Sequence, residues 1–420
     1  MIILIKNATI LLSGNPYHGK KMDILIEHGR ISQVEAVINT AADKVIEGNK
    51  LYCTIGLADI GTHSGEPGFE HRETIKSLAD AAHAGGYTAL ITFPNTKPYI
   101  QTKAEIKYLK DKGKEYSINI MPAGGLSKDG QGQEIAEYID MYQAGAVAFT
   151  DGLKSCNNSG LLLRALQYVT HFGGTIIHHP KDEFLSHGGQ MHEGIKSTEL
   201  GLKGIPAEAE FTMLYRDLML LEYSRSKMIV HAISSAKSVD LLKNYKKEGS
   251  SLTSTVAYLN LCVNDNILEG FDTLYKVTPS VRTENDRAAL VRGISDGTID
   301  AIISNHIPLE EDLKKVEFPY AAFGAGGLET AFCATIDTLK NEVILEKLTD
   351  CFTKGPRQIL DLEIPDIKPG QPADLCVFDI DSPWTFNRTN SLSPNNPFLN
   401  RKSFECRIKA TILGNEAFIF

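Results

Sequence analysis

The chain lacks the features of several functional classes. No stretch reaches the roughly 18 uncharged apolar residues that a membrane-spanning helix needs. No basic run is interleaved with aromatic residues, and 43 Lys plus Arg stand against 52 Asp plus Glu, a net charge of −9, so nucleic acid is not an expected partner. The seven cysteines, Cys53, Cys156, Cys262, Cys333, Cys351, Cys376 and Cys406, are scattered, odd in number and never spaced as CxxC. They read as reduced thiols packed as small hydrophobes. The opening MIILIKNATILL has no basic leader and no small-residue cleavage site, so it reads as a strand and not a signal peptide, and cytoplasmic residence is expected.

What remains is ordinary globular composition, 42% hydrophobic and 23% charged over 420 residues. That is enough for a closed α/β barrel of about 250 residues with a smaller flanking domain. Residues 1–55 read as short strands punctuated by Gly29 and Gly48. The stretch 365–420 has the same texture, in ADLCVFDI, FECRIKATILG and EAFIF, so the two ends are expected to meet in one β-sandwich. Between them, residues 56–364 alternate apolar strands with amphipathic segments such as HRETIKSLADAAHAGG, AEIKYLKDKGK, LLLRALQYVTHFGG and AKSVDLLKNYKKEG. Eight strands mostly separated by helices predict a parallel (β/α)8 TIM barrel, whose active site lies at the C-terminal ends of the strands.

Four apolar runs end in a side chain that can ligate metal: LYCTIGLADIGTH at His63, AVAFTD at Asp151, GTIIHH at His178 and KMIVH at His231. Imidazole and carboxylate are ligands that zinc accepts, and three protein ligands plus water are the usual catalytic number. The pattern therefore points to a metal-dependent hydrolase. Hydroxide attack on a carbonyl also needs a proton acceptor. The eighth run, AIISNHIP, carries the amide Asn305 where a carboxylate is expected. Alternation along a strand places His179 on the face opposite His178. His306 reads as a packing residue, and His18, His28, His71, His83, His171, His187 and His192 read as surface or hydrogen-bonded residues.

The run GLADIGTHSGEPGFEHRETI, followed by AAHAGGYTALITFPNTKP, resembles the dihydroorotases of the amidohydrolase superfamily, whose pattern there is PGLIDxHxHxREPG and then GGFTTxxxMPNTxP. AGAVAFTD, MHEGIKSTELGLKGIPAEAE, IVHAISSAKSV, FGAGGLET and KGPRQILDL with IKPGQPADLCVFD extend the resemblance over nearly the whole chain. It implies a (β/α)8 barrel with a β-sandwich and, in pyrimidine synthesis, the zinc-dependent interconversion of carbamoyl aspartate and dihydroorotate. By position, His63 matches the second His of the family's pair while Gly61 stands at the first. Asp151 matches a bridging carboxylate, and His178 and His231 match the ligands of strands five and six. Asn305 stands at the aspartate of DHAPH, Gly65 at a substrate-gripping arginine, Leu309 at the last His of that motif and Thr278 at a substrate-binding Asn. AYLNL replaces PHHL, and the substrate-binding Asn95 survives.

The resemblance with these losses implies at most one zinc ion, at Asp151, His178 and His231. It also implies an inactive or weakly active pseudoenzyme, kept as a subunit or regulator of aspartate carbamoyltransferase. The other reading is an active zinc-dependent cyclic amidohydrolase of dihydroorotase, allantoinase or hydantoinase type. Barrels with this β-sandwich commonly pair, so a homodimer is expected.

Overall fold

A computed structural model describes residues 1–246 and 251–420. The two ends of the chain meet in one eight-stranded sheet. Ile2–Ile10 pairs antiparallel with Lys21–Glu27 and parallel with Lys44–Ile46 and Leu51–Ile55; Asp374–Asp379 then joins Leu51–Ile55 to Arg407–Leu413. Alternation drives this assembly, because Ile3, Ile5, Ile24, Ile26, Cys53, Ile55, Leu375, Val377, Ala410 and Ile412 share one apolar cluster. Among the described residues, no helix is long and apolar enough to cross a membrane, and all seven cysteines are unpaired.

The middle of the chain is the barrel. Its strands in order are Leu57–Thr62, Tyr87–Thr92, a third strand in two pieces (Asn119–Ile120 and Ala123–Gly125), Ala148–Thr150, Thr175–His178, Lys227–Val230, Leu252–Ala257 and Ala301–Ile303. Neighbours pair in parallel from the first strand to the first piece of the third, and from its second piece to the eighth. Between strands eight and one the seam is closed by a side chain. The buried Asp59 carboxylate accepts from the Ser304 amide at 2.6 Å, from the Ser304 hydroxyl at 2.7 Å and from the Thr62 hydroxyl. Burial raises the pKa of Asp59, and those donors oppose the shift.

The lumen is filled by a layer of one residue per strand: Ile60, Ile91, Ala123, Ala148, Ile177, Ile229, Ala257 and Ile303. Neighbouring positions such as Leu90, Phe149, Ile176, Met228, Val230, Val256 and Ile302 face the helices. This alternation fixes which residue at each strand end looks into the mouth.

The helices begin and end for local reasons. The helix expected from His71 starts only at Ile75, where Thr74 caps it reciprocally with Ser77, and it stops at Gly85. The helix expected over residues 236–249 runs Ala236–Tyr245, and residues 247–249 lie outside the described residues.

Candidate functional site at the barrel mouth

The fifth and sixth strands run in register, Ile177 beside Ile229 and His178 beside Val230. One step further, the next pair is His179 and His231. Ile177 and His179 therefore share the lumen face, while Ile176 and His178 face the helices. His178 is 3% exposed, and both its ring nitrogens are engaged. Nδ1 donates to Asp217 Oδ2 at 2.6 Å, and Nε2 accepts from the Cys156 amide at 2.9 Å. Arg216 completes the ring, pairing with Asp217 and donating to the Cys156 carbonyl at 2.8 Å. His178 thus ties the fifth strand to the following helix and to the loop after strand four, and it has no lone pair left for a metal. His178, expected as a ligand, is held here in a structural role, and the mouth-facing residue is His179.

Asp151 is also turned aside. Its Oδ1 accepts from the Ser127 amide and the Tyr99 hydroxyl, both at 2.9 Å, and its Oδ2 accepts from the Ser127 hydroxyl at 2.5 Å. Ala148 occupies the lumen, so Thr150 follows it inward and the Asp151 carboxylate falls on the other face. The expected set of Asp151, His178 and His231 does not converge. Among the described residues, no three His, Cys, Asp or Glu side chains stand close enough to hold a metal ion. The residues as arranged do not fit the zinc site that the sequence suggested.

Three imidazoles do face the mouth with a ring nitrogen unused. Among the described residues, the buried Nε2 atoms of His63, His179 and His231 have no hydrogen-bond partner. His179 Nδ1 donates to the His231 carbonyl at 3.0 Å, so in the neutral ring Nε2 carries a free lone pair. The Phe93 ring lies 6.0 Å from His63 and 4.9 Å from His231, centroid to centroid, and the rings of His179 and His231 stand 6.4 Å apart. Burial lowers His63 and His179 to about 4, His306 adding to the first and Lys181 to the second. Burial also pushes His231 well below the ordinary imidazole value, reinforced by His179 and His63. All three rings are therefore neutral at pH 7.

The two glycines are more than missing side chains. Gly61 has φ +93°, and a Cβ there would stand 2.6 Å from His231 Cε1. Gly65 has φ +70°, and a Cβ there would stand 2.4 Å from the Glu73 carbonyl oxygen. The surrounding groups have closed onto both positions. Asn305 sits at φ 48°, a left-handed conformation that asparagine tolerates. Its Nδ2 donates to the Thr278 carbonyl at 3.0 Å, leaving Oδ1 buried and unpartnered. Asn95 points the same way chemically: Nδ2 donates to the Asp151 carbonyl at 3.2 Å and Oδ1 is unpartnered. Leu309 is buried. His306 is structural as expected, donating from Nε2 to the buried Glu73 at 3.3 Å and accepting at Nδ1 from the Gly327 amide at 3.1 Å.

Sequence reasoning missed three elements here. Lysines hold segment 310–327 down without carboxylate partners. Lys276 Nζ donates to the Phe318 carbonyl at 2.7 Å and to that of Pro319 at 3.0 Å; Lys314 Nζ donates to the carbonyls of Thr273, Lys276 and Ala322 at 2.8–3.1 Å. Asp217 is silent in sequence because only the fold carries it to His178. His179 was legible, since aligning GTIIHH with KMIVH on their lumen isoleucines sets it beside His231.

A parallel eight-stranded barrel with a sheet built from both chain ends is the fold shared with solved hydantoinases. L-hydantoinase (dihydropyrimidinase) from Arthrobacter aurescens superposes with a TM-score of 0.85 at 21% identity, covering 99% of this chain and 95% of that one. A D-hydantoinase gives 0.82 at 18% identity, with 100% and 95% covered. Residues 51–238 match the family model described as Dihydro-orotase-like. Curated dihydroorotases from Pelotomaculum thermopropionicum and Ruminiclostridium cellulolyticum are 39% and 38% identical, over 96% and 95% of this chain and 95% and 94% of theirs. The chain belongs to the dihydroorotase family.

Proposed function

We propose that this chain is a catalytically impaired member of pyrimidine biosynthesis that binds at most one metal ion and serves as a subunit or regulator of aspartate carbamoyltransferase. The observation that carries the impairment is the loss of hydroxide-generating chemistry at three points of one mouth. Both oxygens of Asp151 and the one basic nitrogen of His178 already accept from protein donors. Gly61 has no room for a ligating side chain. Asn305 offers an amide where a proton acceptor is needed, which removes assistance worth about 10²- to 10⁴-fold. A chain that keeps the family's fold along its whole length while its chemical groups are spent elsewhere is suited to acting through its surface. The choice of aspartate carbamoyltransferase rests on the family resemblance of the sequence.

The unspent nitrogens of His63, His179 and His231 favour a second reading, a hydrolase of cyclic amides working with a single metal after rearrangement of these rings. One set of measurements separates the two. Dihydroorotate hydrolysis is assayed at high protein concentration with added zinc, bound zinc is counted by elemental analysis, and co-elution with the carbamoyltransferase is tested at micromolar concentration. The first reading expects no more than one zinc per chain, turnover far below about 1 s⁻¹ and a co-eluting complex. Two zinc ions per chain or turnover at that rate would overturn it, and absence of a complex would remove the subunit role.

A further inference from the structure

Cationic side chains crowd one flank of the mouth, where the buried Glu210 pairs with Arg282. Arg282 is 6% exposed and already has partners in the protein. Its Nε donates to the Ser234 hydroxyl at 2.7 Å, its Nη1 to His192 Nδ1 at 2.9 Å, and its Nη2 stands 3.7 Å from Glu210. Lys276 and Lys314 are committed to carbonyls, as described above, and Lys276 also reaches Gln190 Oε1. Lys181 differs from all of these. It is half-buried, and among the described residues its amine has no hydrogen-bond or ion-pair partner. Its amine stands over the face of Phe323, 5.9 Å from the ring centroid, and Lys276 Nζ lies 4.9 Å from that same centroid. Burial lowers the Lys181 pKa, and the exposed Glu183 only partly opposes the shift.

Next to this amine is a cavity of about 20 Å³ lined by His179, Lys181, Thr278, Ser280, Arg282 and Glu210, among others. It has room for a group the size of one water. Two of its polar atoms are buried without a partner: the Ser280 hydroxyl, whose residue is 8% exposed, and His179 Nε2, whose residue is 2% exposed. Asn305 lies outside this lining, but its Nδ2 bonds the carbonyl of the lining residue Thr278 and its Oδ1 is also buried without a partner among the described residues. Unmet buried donors and acceptors around an unpaired ammonium are a ligand's complement. The donors, Lys181 and Ser280, suit an oxyanion. The acceptors, His179 Nε2 and Asn305 Oδ1, suit ligand N–H groups.

We propose that Lys181 is the anion-binding residue of this mouth: its ammonium, with the Ser280 hydroxyl beside it, receives the carboxylate of a small amide-bearing ligand, a task that Gly65 cannot perform. The ligand's carboxylate displaces the Phe323 ring from the amine, replacing a cation–π contact by a charge-assisted hydrogen bond. Its N–H groups meet His179 Nε2 and Asn305 Oδ1. This deepens the functional reading above and rests on it only in placing a ligand of the family's class at this mouth; turnover, zinc content and co-elution are separate readouts.

The test is calorimetric titration of the full-length protein with dihydroorotate and with dihydrouracil, the same ring without the carboxylate. Wild type is expected to bind dihydroorotate at least about tenfold more tightly. Lys181→Met should weaken dihydroorotate by about 10- to 100-fold and leave dihydrouracil unchanged, with an unfolding midpoint no lower than that of wild type. Lys181→Arg should keep dihydroorotate within about threefold of wild type, since either cation serves a carboxylate. Equal weakening of both ligands, wild-type affinity in Lys181→Met, failure of Lys181→Arg to restore binding, or no dihydroorotate binding by wild type at millimolar concentration would each overturn the proposal.

Discussion

The two flanks of the barrel mouth carry similar side chains in opposite condition. On the flank of strand four and the helix-facing side of strand five, both carboxylate oxygens of Asp151 accept from Ser127 or Tyr99, and both ring nitrogens of His178 are held by Cys156 and Asp217. On the lumen side, His63, His179 and His231 each keep a ring nitrogen without a hydrogen-bond partner among the described residues, and the Lys181 ammonium meets only the face of Phe323 there. A polar group paired within the protein contributes to stability, whereas one left unpaired in a buried site costs stability until a ligand meets it. The first flank therefore holds the fold together, and the second is the one proposed to meet a ligand.

Acid should separate the flanks most strongly. His63 and His179 titrate near 4 in the fold against about 6.5 unfolded. Above about pH 6.5 both states are neutral and nothing is lost; as pH falls from there towards 4, the unfolded chain takes up protons first and stability declines. The upper bound is about 3 kcal/mol for each ring. Urea midpoints of chelator-treated protein from pH 7 to pH 4 should fall accordingly, and His179→Gln should flatten the slope. A midpoint independent of pH over this range would mean that the rings are solvated.

The next effect lies on the paired flank. Asp217→Ala removes the acceptor of both His178 and Arg216 and leaves buried donors unmet, at a cost of about 3–5 kcal/mol. Thermal unfolding measures it, and a loss under 1 kcal/mol would contradict the structural role assigned to His178. The smallest effect concerns the boundary between the flanks. Gly61→Ala forces a Cβ against His231 at a positive φ, for about 1–3 kcal/mol of destabilisation. An unchanged midpoint there would show that His231 swings aside freely, which would reopen the position to a ligating side chain.

The fold class was legible because long alternations of strand and helix repeat one physical signal, and errors at single boundaries average out. The site was legible only in part. His63 and His231 were placed at the mouth, and His306 was placed as packing. The exchange of His178 for His179 came from taking the last residue of an apolar run as the one that faces inward. Facing is set by register against the neighbouring strand, where Ile177 lies beside Ile229, and adjacent positions differ by a half-turn.

Sequence by itself determined which side chains are available at the strand ends and which are not: glycine at 61 and 65, an amide at 305, imidazoles at 63, 178, 179 and 231. These are covalent facts, and no folding alters them. Tertiary structure alone decided how each lone pair is used. Tyr99 and Ser127 reach Asp151 from 52 and 24 residues away in sequence, and Asp217 reaches His178 from 39 away. Such contacts are made by packing and not by local propensity. Hydrogen bonds at 2.5–2.9 Å depend on where whole elements come to rest, so the commitment of Asp151 and His178, and the freedom of His179 and Lys181, appear only once the barrel is closed.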